Sequence, residues 1–171
     1  LDVVLEQPGI ATVEGSLEFS AFSPAQAGFP ADVRVAQAAL DYRDAGYLAA
    51  RNTLCAQRLG TSTAEFIERH LGAVDALLAG HGVTVGDGVR TVYRRLVSDG
   101  GTVKLTVLPD PSWFPADALG TPRGELVRML NATARHNDAP PVMLQLAFAD
   151  PAAPLGNGEP EADASIAAVA P

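Results

Sequence analysis

The sequence holds one cysteine, one tryptophan and a single lysine. Cys55 cannot close an internal disulfide, nor supply even a two-thiolate zinc site, so cysteine-rich scaffolds and zinc modules are excluded. Lys104, the lone lysine, falls in a segment that alternates like a strand, so no phosphate-binding loop of the Walker kind exists. Basic residues are scarce overall, 12 against 20 acids, for a net charge of −8. That balance argues against nucleic acid or an anionic membrane as partner. No apolar run reaches the ~20 residues of a membrane-spanning helix.

What remains is enough for one ordinary domain. A chain of 171 residues buries roughly 70% of its unfolded surface and needs no disulfide scaffold. The last 22 residues, Asp150 to Pro171, carry four prolines, seven alanines, four acids and no base. Such a composition cannot repay chain entropy. We therefore expect a single domain over residues 1–149 and a flexible acidic linker or tail over 150–171. The chain starts at Leu1 rather than Met, which suggests a piece of a longer protein whose leader or anchor would lie out of view. Eleven arginines to one lysine suggest a GC-rich, bacterial genome.

The opening stretch alternates with period two. Val13, Leu17, Phe19 and Ala21 share one side, and Thr12, Glu14, Ser16, Glu18 and Ser20 the other, the pattern of a half-buried strand. Gln7-Pro8-Gly9 separates it from Val3-Val4-Leu5 with a turn signal, so the two form a hairpin. Val33 and Val35 then sit on the opposite parity from Leu40 and Tyr42, which a bulge near Gln37 reconciles. From residue 47 to residue 59 strong helix formers dominate, with Asp44 to cap the start and Gly60 to end it. Ser62-Thr63-Ala64-Glu65 matches a capping box, and Phe66, Ile67, His70, Leu71, Val74, Leu77 and Leu78 follow at spacings of three and four. Helices joined this tightly predict an αα-hairpin. A third helix is expected from Asp87 to the Gly100-Gly101 stop, with Arg90, Arg94 and Arg95 outward. A strand then runs from Thr102 to Leu108, a fourth helix from Thr121 with Pro122 in first position, and a last strand from Val142 to Phe148. The fold class is α+β: an antiparallel or mixed sheet with an αα-hairpin and further helices packed on one face.

Chemistry-bearing residues are few and scattered. Gly80 to Gly86 superficially suggests a dinucleotide loop, but a helix precedes it where a strand must, so a cap and turn is preferred. His70, His81 and His136 lack the spacing that puts two metal ligands on one helix face. His70 reads as a half-buried core residue and His136-Asn137-Asp138 as a helix end. No G-x-S-x-G elbow occurs, Cys55 reads as a buried, inert thiol, and Asp41 and Asp44 as turn and capping residues. The triplet Asn131-Ala132-Thr133 fits a glycosylation site but falls in or beside a helix. No catalytic residue, cofactor or metal site is assigned. Trp113 and Phe114, in the proline-bounded loop Pro109 to Pro115, are the candidate ligand- or partner-binding residues, although such aromatics also plug core ends.

The succession Leu40-Asp41-Tyr42-Arg43-Asp44-Ala45-Gly46-Tyr47, a helix through Ala56 and Gly60, a second from Ser62, and then Gly100 through Pro109 is similar to a layout in the AsmA-like and YdgA-like bacterial envelope proteins. There a strand ending in a Tyr-x-Asp-x-Gly turn leads through helices to a Gly-x-Leu-x-Leu-x-x-x-Pro strand. The resemblance covers roughly residues 33 to 149 as a pattern of elements, and brings no catalytic signature. It implies a periplasmic or envelope-associated setting. Three roles are weighed. The first is a non-enzymatic structural or binding module of a larger envelope protein, contacting its neighbouring modules or an apolar ligand. The second is a hydrolase or transferase pairing His70 or His136 with Asp41 or Asp44. The third is a small-molecule sensor with a cavity lined by Phe66, Leu71, Tyr93 and Phe148. The first is preferred.

Overall fold

Alternating side chains at both ends of the chain's described part build one large sheet. The computed structural model describes residues 1–20, 34–110 and 120–152. Among the described residues, eight strands and four helices follow in the order β1 (Asp2–Gln7), β2 (Ala11–Ser20), β3 (Arg34–Asp44), α1 (Tyr47–Leu59), α2 (Thr63–Gly80), β4 (Val83–Val85), α3 (Asp87–Asp99), β5 (Thr102–Val107), α4 (Arg123–Leu130), β6 (Ala132–His136), β7 (Val142–Met143) and β8 (Leu146–Phe148). Six strands form a sheet ordered β1-β2-β3-β5-β6-β7, and β4 pairs separately with β8. Every pairing is antiparallel, so of the two expected sheet types the antiparallel one holds.

The sequence signals act where they were read. Pro8 and Gly9, the latter at φ 72°, turn the chain so that Ile10 N–H donates to the Gln7 carbonyl at 3.0 Å. On β3 the register jumps from Glu18↔Gln37 to Phe19↔Val35, leaving Ala36 as the extra residue. This bulge keeps Val35 on the same side as Leu40 and Tyr42. Ser62 Oγ accepts the Glu65 N–H at 3.2 Å, and Gly60 ends α1 at φ 63°. The helices α1 and α2 pack on each other as a hairpin.

Three segments differ from expectation. Gly80–Gly86 is not only a cap and turn, because Val83–Val85 inside it is a strand whose partner, β8, lies beyond the reach of local pattern. His136 closes strand β6 rather than a helix: Asn131 turns left-handed at φ 43° and releases the chain into extended backbone. The single strand expected over 142–148 divides into β7 and β8, which serve two different sheets. In addition, Pro122 stands at the N-cap of α4, one residue ahead of its first turn. The linker assigned to 150–171 lies, apart from its first three residues, outside the described residues.

Opposed residues in a ladder share a face. The register therefore puts Val3, Gly15, Leu40, Leu105 and Ala134 in one row across the sheet, and Leu5, Val13, Tyr42, Val103 and His136 in the next. This is the helix-bearing face: α3 packs on β5, β6 and β7, and Ala132, Ala134 and His136 are buried beneath it. The opposite face is mostly polar, with Glu14, Asp41, Lys104 and Arg135 in one row. Helix α1 adds a second contact with α3 through the buried stripe Leu48, Asn52 and Ala56.

Candidate functional site

Two kinds of place merit comparison: the polar cluster at the helix end of the sheet, and the apolar surface at its β1 side. The polar cluster grips the Gly100-Gly101 turn. His136 Nε2 lies 2.7 Å from the Gly100 carbonyl oxygen, Asn137 Oδ1 accepts the Thr102 N–H at 2.8 Å, and Asp44 N–H donates to the Gly101 carbonyl at 2.8 Å. A Cβ on Gly100 would meet Asp44 Oδ2 at 2.9 Å, and one on Gly101 would meet Asn137 Oδ1 at 2.6 Å. Only glycine fits, and both residues also have positive φ. The Asp44 carboxylate meanwhile accepts from Gly46 N–H at 3.0 Å and Leu48 N–H at 3.1 Å, capping α1 as expected. Sequence reading missed Asn52, which is 1% exposed. Its Nδ2 donates to the Val97 carbonyl at 2.7 Å, and its Oδ1 accepts from Arg51 Nη2 at 2.7 Å. The available signal was an amide standing between Leu48 and Ala56 on the apolar stripe of α1.

These groups do not meet in catalytic pairs. His70 Nε2 is 2.9 Å from the Tyr93 hydroxyl, and burial, followed by the nearby Arg51 charge, holds its imidazole below the usual histidine range. Burial also pushes the Tyr42 phenol upward, aided by Asp44. Asp41 is not a turn residue: it faces the polar side of the sheet, where Lys104 Nζ lies 3.2 Å away. His81 caps the end of α2, and Cys55 is half-buried rather than buried. Arg90 and Arg94 are exposed, as expected, and from there pair with Asp75 and Glu68 of α2. Among the described residues no three His, Cys, Asp or Glu side chains gather to hold a metal ion, and no helix is long and apolar enough to cross a membrane. Tyr93 does line a hollow of about 200 Å³, but its apolar walls are Val74, Leu78, Val85 and Val89, not the Phe66, Leu71 and Phe148 of the sensor reading.

The apolar surface is different in kind. Among the described residues no helix packs closely on β1, β2 or the middle of β3, and there the helix-bearing face is accessible. A trough of about 390 Å³ runs over Val3, Leu17, Ala38, Leu40, Leu105 and Val107. Leu1, Val3 and Leu5 are 76%, 49% and 65% exposed, and Leu40 40%. A second, more polar cleft of about 570 Å³ lies between α4 and the β7–β8 stretch, with Arg128 at its wall. Trp113 and Phe114, the residues singled out from sequence, lie outside the described residues.

Fold and surface together define an α+β protein with an accessible apolar trough on one half of its sheet among the described residues. No protein-family model, curated protein or solved structure matches the chain.

Proposed function

We propose that this chain is a non-enzymatic binding module of a larger bacterial envelope protein, working in the periplasm, which presents the open half of its sheet to a neighbouring module or an apolar ligand. One observation carries the reading. The row of apolar side chains from Leu1 and Val3 through Leu17 and Leu40 lies on the face that the helices cover elsewhere, yet it is accessible here. Contiguous apolar surface of this kind marks interaction sites on water-soluble domains. The strand–turn–helix succession from Leu40 to Tyr47 supports the envelope setting by its likeness to the AsmA-like layout. The pairing chemistry that an acid–base enzyme would use is directed elsewhere: His70 to Tyr93, His136 to Gly100, Asp44 to the start of α1 and Asp41 to Lys104.

Fluorescence of the neutral apolar dye N-phenyl-1-naphthylamine tests the surface. Dye brightens on the wild-type chain and loses most of that enhancement with Leu40→Glu, which puts a charge at the trough's centre. Equal brightening on both proteins overturns the reading.

A further inference from the structure

Among the described residues the accessible face ends at a strand with one unpaired side. Strand β1 pairs only with β2 among the described residues, and every one of its residues is exposed. Leu1 and Leu17 exchange two backbone hydrogen bonds of 2.8 Å. In an antiparallel ladder the bonded pairs alternate, so Leu1, Val3 and Leu5 bond to β2, while Asp2, Val4 and Glu6 turn their N–H and C=O groups outward along the edge. No proline or lysine blunts that edge, the usual devices against unwanted pairing.

The side chains beside those free groups specify a partner. On the trough face, Leu1, Val3 and Leu5 present an apolar row. On the other face, Asp2, Glu6, Glu14 and Glu18 stand in a stretch, residues 1–20, that contains no lysine or arginine. A second copy of this chain fits poorly: the antiparallel register that overlaps all three outward residues sets Val4 against Val4 and Asp2 against Glu6, and like charges directly opposed destabilise a pair. We propose that the β1 edge takes up an extended peptide strand in which apolar and basic residues alternate. Its apolar side chains extend the trough and its basic side chains lie beside Asp2 and Glu6, while its backbone pairs with Asp2, Val4 and Glu6. This inference rests on the binding-module reading and supplies the partner class for it.

The probe is a fluorescein-labelled peptide alternating valine and lysine, titrated with the purified chain and followed by anisotropy, beside a valine–glutamate peptide. The valine–lysine peptide binds, more weakly as salt is raised, and the valine–glutamate peptide binds at least about tenfold more weakly, because its charges meet Asp2 and Glu6 as like charges. Val4→Pro deletes an outward N–H without touching the bonds to β2 and weakens binding at least about tenfold. The double change Asp2→Lys with Glu6→Lys, on exposed residues, reverses the preference between the peptides and serves if the proline variant misfolds. Equal binding of both peptides, or wild-type affinity in Val4→Pro together with an unreversed preference in the charge variant, overturns the inference. So does a homodimer in sedimentation that Val4→Pro dissolves, since the edge then belongs to a second copy. If the peptides fail while Leu40→Glu still abolishes dye binding, the strand partner falls and the apolar-face reading stands. If dye binding also proves indifferent to Leu40→Glu, both fall.

Discussion

Replacing Asn52 by alanine separates the two helices that shape the covered half of the sheet. The last-turn carbonyls of a helix need partners from outside its own ladder. In α3 the Leu96 carbonyl accepts the Gly100 N–H at 2.9 Å, and the Val97 carbonyl is taken instead by Asn52 Nδ2 at 2.7 Å. Both residues are 1% exposed, so water has no ready access once the amide is gone. A buried carbonyl left without a donor costs about 1–3 kcal/mol, and the void left by the carboxamide adds on the order of 1 kcal/mol. The better helix propensity of alanine returns about 0.5 kcal/mol. The net loss is about 1.5–3.5 kcal/mol, or roughly 3–14 °C in melting temperature for a chain of this size. Urea denaturation followed by far-UV circular dichroism gives the free energy directly. Asn52→Leu fills most of the volume but restores no donor, so it remains at least about 1 kcal/mol below wild type. A wild-type midpoint in Asn52→Leu would show that filled volume, not the hydrogen bond, joins α1 to α3. A loss below about 0.5 kcal/mol in Asn52→Ala would show that the Val97 carbonyl finds another donor; either result refutes the reasoning.

Three further outcomes are expected. Gly101→Ala drives a methyl into Asn137 Oδ1 at a backbone φ of 89° and loosens the Asn137–Thr102 bond, for a loss of about 2–4 kcal/mol in urea; a loss under about 1 kcal/mol, no more than a positive φ alone costs an alanine, would sink this account of the turn. His70 confers a pH dependence: burial lowers its folded pKa beneath the unfolded value of ~6.5, so the unfolded chain takes up the proton first. Its contribution is complete above pH ~6.5 and is lost as the pH falls through the lowered folded value; His70→Gln therefore shows a shallower fall in urea midpoint between pH ~7.5 and ~5 than wild type, and parallel curves would refute the assignment. Lys104→Met removes the partner of Asp41, but both side chains are about one-third exposed (35% and 32%), so the loss stays under about 1 kcal/mol by thermal melt.

Local chemistry was legible and long-range pairing was not. The Pro8-Gly9 turn, the bulge that reconciles Val35 with Leu40, the Ser62 cap and the Gly100-Gly101 stop each act through residues within a few positions, and each was visible in the sequence. Strand β4 was not, because three residues between glycines become a strand only by meeting β8, some sixty positions later. The stretch from Ala132 to His136 was hidden by Asn131, whose left-handed turn ends α4 earlier than the run of residue types suggests. Period-two parity identified the apolar side of β2 correctly but carried no information on which parts of that side helices would reach. The site residues inferred from sequence, Trp113 and Phe114, rested on adjacent aromatics in a proline-bounded loop and lie outside the described residues. The trough draws on Val3, Leu17, Leu40 and Val107, ordinary strand residues whose gathering is a property of register.

That register also explains why an uncovered apolar half-face need not endanger the fold. Most buried apolar side chains lie under α1, α3 and α4 or beside them, among them Leu48, Val92, Val97, Leu126, Ala132 and Ala134, while Ala11 on β2 and Val35 on β3 are buried as well. None comes from β1, whose six residues are all exposed. Exposed substitutions away from caps and buried polar groups change stability by about 0.5 kcal/mol or less, so the β1 edge and the core answer to different pressures. Apolar residues on β1 add little to the free energy of the isolated chain, and the burial they can offer, roughly 25 cal/mol per Å² removed from water, is realised only on contact with something else. The acids on the reverse side of the same hairpin act in the opposite sense towards like chains. An apolar strip that adds little in isolation, backed by acids on its reverse side, is the arrangement that the proposed binding face requires.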